Sequence, residues 1–274
     1  MKKKRLPIGT SDYKRIVDDN LYYVDKTMLI KEVIDGGEVI LITRPRRFGK
    51  TLNQTTLKHF FEKSNEDTSY MFKDKKIWQY EEYREMQGKF PVIYLTLKDV
   101  QGKDYDQTIK DLKQIVAAEY SNHLELIKSE KLNQNDKDKI SKISRGEGDL
   151  TDYKFSLKTL SMWLHQHYGE KAVIIIDEYD TPIIESYQKG YYDEFIQFIK
   201  TFLGAALKDN YSLERSVVTG ITKVAKESIF SDLNNLLVAT ILTPFFTKTF
   251  GLLKEEVHEA LNYYELSYEE NRVI

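Results

Sequence analysis

The chain has 274 residues, 41% hydrophobic and 31% charged, which suits one large α/β core, alone or with a small appended helical unit, and excludes whole-chain disorder. A formal net charge of −2 with interspersed lysines and acids provides no global field for nucleic acid, so such a role would need a local patch. The absence of cysteine removes disulfides, thiolate catalysis and Cys-ligated metals, and fits a reducing compartment.

The basic start, Met1-Lys-Lys-Lys-Arg5, is like the first part of a signal peptide, but the following Leu-Pro-Ile-Gly-Thr-Ser-Asp lacks an apolar region. Nothing later reaches membrane-spanning length, so a cytoplasmic protein with no membrane role is expected. Ser11 to Val17 and Met28 to Ile34 read as short helices, the second capped by Asp25 or Thr27. After Gly36-Gly37, Glu38 to Thr43 reads as a parallel strand, followed by the turn Arg44-Pro-Arg-Arg-Phe-Gly-Lys-Thr51 and a helix from about Thr51. That helix presents Leu52, Leu57, Phe60 and Phe61 to a core. Phe90 to Leu97 is the next strand, with Pro91 tolerable only at its beginning. A helix from about Tyr105 to Leu126 follows.

Lys128 to Asp149 is rich in Lys, Asp, Asn, Ser and Gly, with Leu132, Ile140 and Ile143 as its main apolar residues, and reads as an exposed, partly helical insertion. The amphipathic stretch Tyr153 to Tyr168, carrying Phe155, Leu160, Trp163 and Leu164, leads to Ala172-Val-Ile-Ile-Ile-Asp-Glu-Tyr-Asp180, a buried strand ending in acids. Phe195 to Leu207 is a helix, and Arg215 to Gly220 a strand. A strand-like run from Leu237 to Phe246 and a helix from Lys254 to Tyr263 close the chain.

The chemistry is concentrated in two places. A strand entering a basic, Gly-Lys-Thr-ended turn and then a helix aims free backbone N–H groups at an anion. There Lys50 would reach the terminal phosphates and the Thr51 hydroxyl would bind Mg2+. The full phosphate-loop pattern asks for glycine where Arg44 stands, so the match is incomplete. The acidic strand supplies the second half: Asp177 would hold the metal or its waters, and Glu178 would polarise a water in line with the γ-phosphate. Each motif alone has a plainer explanation: a turn glycine, a solvated lysine and helix-capping acids.

Leu6-Pro-Ile-Gly, Tyr22-Tyr-Val-Asp-Lys-Thr27, Arg44 to Thr51, Ile176-Asp-Glu-Tyr-Asp180, Thr219-Gly-Ile-Thr222 and Phe250 to Val257 together resemble the predicted AAA-type ATPase family, over nearly the whole chain. In that family Arg-Pro-Arg-Arg-Phe-Gly-Lys-Ser/Thr is the usual nucleotide loop, so Arg44 fits the pattern. The resemblance implies a P-loop NTPase fold with a central parallel sheet flanked by helices, strand order 5-1-4-3-2, and ATP with Mg2+ as cofactors. It places Arg44, Pro45, Arg46, Arg47, Phe48, Gly49, Lys50, Thr51 and Leu52 along the nucleotide. Residues 1–235 would form the core, with the insertion near 128–149; residues 236–274 would belong to it or begin a lid. Members often continue into a nuclease-like domain, which this chain is expected to stop short of. No acidic-plus-Glu-x-Lys nuclease signature is visible within it.

Several residues keep two readings. Tyr23 and Lys26 are either nucleotide contacts or a packed tyrosine and a solvated lysine. Thr219 either senses the γ-phosphate through the attacking water or ends its strand before a glycine turn. At least one of Arg44, Arg46 and Arg47 clamps phosphate, on this chain's nucleotide or on a neighbouring subunit's, unless they pair with acids. Lys223 could neutralise transition-state charge, although arginine suits that task better. His165 and His167 lie two apart on a helix, so they face different ways and read as surface. The nineteen tyrosines mark either half-buried edges or a partner surface. Two functional classes stay open. One is an ATPase switch or motor acting on a protein partner, a nuclease-like domain or another copy of itself, with nucleic acid undetermined. The other is a nucleotide-binding interaction module with negligible turnover. A small-molecule phosphotransferase is the weaker third.

Overall fold

The computed structural model describes residues 3–222, 230 and 235–267. Among these residues five strands form one parallel sheet: β1 (Val39–Thr43), β2 (Val92–Thr96), β3 (Ala172–Asp177), β4 (Leu213–Gly220) and β5 (Leu236–Ala239). Their order is β2-β3-β4-β1-β5, which is 5-1-4-3-2 read from the other edge, as expected. The helices are α1 (Tyr13–Asp18), α2 (Met28–Ile34), α3 (Lys50–Phe61), α4 (Glu81–Arg84), α5 (Tyr105–Ser121), α6 (Gln134–Ser144), α7 (Leu150–Lys154), α8 (Ser156–Tyr168), α9 (Thr181–Lys189), α10 (Tyr192–Leu207) and α11 (Lys254–Tyr264).

Strands β1 and β3 are buried along their whole length, which explains why they read as unbroken apolar runs rather than alternating ones. Alternation survives in what each residue touches. Val39, Leu41, Ile174, Ile176 and Val218 face the layer containing α5, α6, α8 and α10. Ile40, Ile42, Val173, Ile175 and Val217 face the layer containing α1, α2 and α3. Because all strands are parallel, their C-terminal ends lie along one edge. The turn after β1, the acids after β3 and the end of β4 therefore meet there.

Three expectations change on the way to this fold. The segment 128–149 is not peripheral: Leu132, Ile140 and Ile143 are buried in the main core, where α6 packs on α5. Its polar composition reflects only the outer face of α6, an ambiguity that counting charges along a segment does not resolve. Phe155 is 41% exposed because it stands at the junction where α7 stops and α8 restarts. The apolar run 237–246 is strand only as far as Ala239, and Ile241 and Leu242 are exposed beyond it. Pro244, which has no N–H to give a ladder, stands within that run. Among the described residues no helix is long and apolar enough to cross a membrane.

One backbone donor on the free edge of β2 is taken by a side chain. Glu119 of α5 accepts the Tyr94 backbone N–H at 2.8 Å and also bonds His123 at 3.3 Å. Burial alone would lower the His123 pKa, but its bonds to Glu119 and Glu125 outweigh that and push it up to about 9. The folded state thus holds this proton more tightly than the unfolded chain does. The resulting stabilisation is complete below about pH 6.5 and is lost as pH rises through about 9. His123→Gln is expected to flatten the urea-midpoint profile across that window; an unchanged profile would refute the arrangement. Ile140→Ala is expected to cost about 2–5 kcal/mol in the same assay, against a few tenths for a surface change such as Lys137→Ala.

Candidate functional site

The turn between β1 and α3 opens with Arg44, whose N–H donates to the Gly220 carbonyl at 3.1 Å, so the loop leaves the sheet beside β4. Gly49 ends the turn at φ 77°, a left-handed conformation that L side chains rarely adopt, and serves as the cap of α3. Lys50 follows at 5% exposure, its Nζ donating to the Arg44 and Pro45 carbonyls at 3.1 Å each. Burial lowers its pKa; the charges of Glu178, Asp177 and Asp180 pull it back up, and Arg46 adds to the lowering. The turn is thus wrapped around a cation that an anion could draw out.

Asp177, at 1% exposure, lies at the end of β3 and bridges three elements. Its Oδ2 accepts from the Thr51 hydroxyl at 2.6 Å, and its Oδ1 accepts from the Thr219 hydroxyl of β4. Thr51, Asp177 and Thr219 thus converge on one point, with Lys50 one residue before Thr51. Glu178 is half-buried at φ 53°, an uncommon conformation for a residue with a side chain, and accepts from Thr181 at 3.4 Å. With Arg46, Lys50, Thr51 and Lys98 it lines a cleft of about 830 Å³.

Residues that sequence reasoning passed over complete the site. Gln54, one turn into α3, reaches under the strand ends: its Nε2 donates to Thr219 Oγ1 at 3.1 Å and to the Ile176 and Val217 carbonyls at 3.3 Å. A polar residue among the inward-facing Leu57, Phe60 and Phe61 was the available signal. Asp180 is fully buried and accepts the N–H groups of Ile221 and Thr222 at 2.8 and 2.9 Å, while Tyr179 donates to the Thr222 carbonyl at 2.9 Å. The last two residues of Asp-Glu-Tyr-Asp therefore hold the turn after β4. A Cβ at Gly220 would come within 2.7 Å of Asp180 Oδ1, so that turn requires glycine.

Arg44 does not face the cleft. At 4% exposure, its guanidinium donates to the carbonyls of Thr43 and Ala239 at 2.9 Å and of Phe245 and Phe246 at 3.2 and 3.1 Å. It thereby fastens the segment after β5 to the phosphate loop. Further along, Asn53 donates to the Thr249 carbonyl at 2.8 Å, and the Gly251 N–H to the Phe48 carbonyl at 3.1 Å. Lys26 is no solvated lysine: it pairs with Glu256 of α11 at 2.6 Å and bonds the Lys248 carbonyl at 2.8 Å. Tyr23 accepts the Lys26 N–H at 3.3 Å and borders a second cavity of about 270 Å³. That cavity is walled by apolar and aromatic groups, among them Tyr22, Phe48, Leu52, Leu252 and Ala260, and it meets the cleft at Pro7, Arg47 and Gly49.

The remaining expectations sort as follows. Pro45, Arg46 and Arg47 are exposed and Phe48 half-buried, with Arg46 and Arg47 on the cleft. His165 and His167 bond Ser212 and Ser129 separately, at 3.2 and 2.8 Å. Tyr22, Tyr263 and Tyr264 form an aromatic cluster with centroids 5.0–5.4 Å apart. Lys223 lies outside the described residues.

A parallel sheet in this order, with a Gly-Lys-Thr turn and an acidic strand end at the same edge, defines a P-loop fold. A profile of the predicted AAA-ATPase family matches residues 7–230, and the chain belongs to that family. An uncharacterised protein encoded in the vnfD 5′ region of Azotobacter chroococcum mcd 1 is 28% identical over 238 residues, covering 86% of this chain. The alignment spans 41% of that relative's length. No solved structure matches the chain.

Were Arg44 a phosphate ligand, Arg44→Met would weaken nucleotide binding and leave stability intact. The observed carbonyl clamp predicts a loss on the order of 3 kcal/mol in urea unfolding. It also predicts faster proteolysis within 239–253. Stability within about 0.5 kcal/mol of the parent would refute the clamp.

Proposed function

We propose that this chain binds ATP with Mg2+ and hydrolyses it, as a nucleotide-driven switch or motor acting on a partner or on a neighbouring domain. The observation that carries the reading is the 2.6 Å bond between the Thr51 hydroxyl and the Asp177 carboxylate, with buried Lys50 and half-buried Glu178 beside it. A hydroxyl and a carboxylate already in contact at the mouth of a phosphate cradle form the hard-oxygen pair that suits Mg2+. Among the described residues no group of three or more His, Asp or Glu is gathered to hold a metal by itself. A metal held by Thr51 and Asp177 would take its other ligands from phosphate and water. The chemistry such an ion supplies is neutralisation of charge on the β- and γ-phosphate oxygens.

The protein's own groups carry the remaining work. Lys50 would exchange the Arg44 and Pro45 carbonyls for phosphate oxygens, a move of a few ångströms for a flexible side chain. Backbone N–H groups at the start of α3 would complete the cradle. Glu178 would accept a hydrogen bond from the attacking water, and Thr219, tied to both Asp177 and Gln54, would orient that water or fix Asp177. The apolar cavity by Tyr22, Tyr23 and Phe48 would take the adenine ring, leaving the phosphates to the polar cleft it adjoins. Catalysis of this kind rests on positioning and charge.

Titration with a fluorescent ATP analogue and steady-state phosphate release test the reading together. Lys50→Ala is expected to raise Kd by about 10²-fold. Glu178→Gln is expected to keep Kd within about threefold and to lower kcat by about 10²–10⁴-fold. Parental turnover in Glu178→Gln would remove the hydrolytic role. Binding without turnover in the parent would leave the interaction-module reading.

A further inference from the structure

The three arginines of the loop have three different situations. The Arg44 guanidinium is turned inward, its two terminal nitrogens donating to four carbonyls. Arg46 and Arg47 are exposed, and neither guanidinium has a hydrogen bond or ion pair among the described residues. They are also placed differently. Arg47, at φ 68°, borders both the polar cleft and the apolar cavity, so it stands where phosphate chain and base would join. Arg46 borders the cleft alone, with Lys50, Thr51 and Glu178.

Unpaired guanidiniums next to a buried lysine of the same sign are unfavourable in isolation. Burial is the main cause that lowers the Lys50 pKa, Glu178, Asp177 and Asp180 pull it back up, and Arg46 adds the smallest contribution, on the lowering side. Among the described residues no acid of the cleft pairs with Arg46: Glu178 accepts from Thr181 at 3.4 Å, and Glu185 pairs with Lys189 at 2.8 Å. Such a crowd of positive charge is relieved by a polyanion, and most by one whose charge grows at the end nearest Arg46.

We infer that Arg46 is a catalytic residue that acts in cis, its guanidinium contacting the γ-phosphate of the nucleotide bound by its own chain, so that one copy of the protein completes the ATPase site. The inference rests on the ATP-hydrolysis reading above. In the step it serves, the water oxygen bonds to the γ-phosphorus and the bond to the β,γ-bridging oxygen breaks. The electron pair stays on ADP, and the water's proton leaves by way of Glu178 to solvent. Charge builds on the bridging and equatorial oxygens, where a planar, two-pronged donor is worth most. Arg47, nearer the base cavity, contributes to binding.

The test is phosphate release by the full chain, with ATP-analogue affinity measured in parallel. Arg46→Ala is expected to lower kcat by about 10²–10³-fold with Kd within about threefold, and Arg46→Lys to recover only part of the loss. Arg47→Ala should act chiefly on Kd. Specific activity of the parent should not depend on protein concentration. Mixing Arg46→Ala with Glu178→Gln should restore nothing, since neither chain owns a complete site. Restoration on mixing would show that the arginine works across copies and overturn the inference. Undiminished kcat in Arg46→Ala, with the parent active, would overturn it alone. A parent that neither binds nor hydrolyses ATP would overturn the reading beneath it as well.

Discussion

The Asp177 carboxylate is the point on which the site depends. One oxygen holds the first turn of α3 through Thr51, and the other holds β4 through Thr219. Three segments, two of them 126 and 42 residues from Asp177 along the chain, are thereby locked into one geometry. A buried carboxylate needs such partners, because an ionised group taken out of water without them is strongly penalised. The same two oxygens that satisfy the fold would be offered to a metal, so occupancy would exchange one set of bonds for another. An equilibrium between those sets is what a nucleotide-driven change of state requires.

The second organising contact is the Arg44 clamp. Phosphate-loop patterns place glycine at this position, where a small residue leaves the backbone free. Here a long side chain runs away from the cleft and gathers the carbonyls that follow β5. Asn53 and Phe48 continue the attachment, and Lys26 with Glu256 secures α11. The loop is therefore mechanically continuous with the C-terminal segment, which also supplies Leu252 and Ala260 to the apolar cavity. A change in the loop would be transmitted along this path by direct hydrogen bonds.

Asp180 and Tyr179 extend the acidic motif in the other direction. By holding Ile221 and Thr222 they set where β4 ends, and Gly220 lets the two strands' ends come close. The motif Asp-Glu-Tyr-Asp thus divides by position: its first two residues lie beside the phosphate-loop turn, and its last two hold the turn after β4.

Fold class and the pairing of the two motifs at one sheet edge were legible in the sequence pattern, whereas the strand order came from the family resemblance. Unbroken β-branched runs bounded by turns specify buried parallel strands, and a Gly-Lys-Thr turn entering a helix has one common use. The membership of α6 in the core was not legible, because a helix with two or three buried residues looks polar when read along the chain. The direction in which each arginine points was also beyond reach. Three arginines in four residues carry the same charge, and their separate roles follow from which one finds carbonyls, which borders a cleft and which borders two cavities. Residue types and spacing determined that the Gly-Lys-Thr turn and the acidic strand end share one sheet edge. Only the folded chain decided which side chains line the cleft there, since a guanidinium's direction depends on acceptors supplied by residues some two hundred positions away.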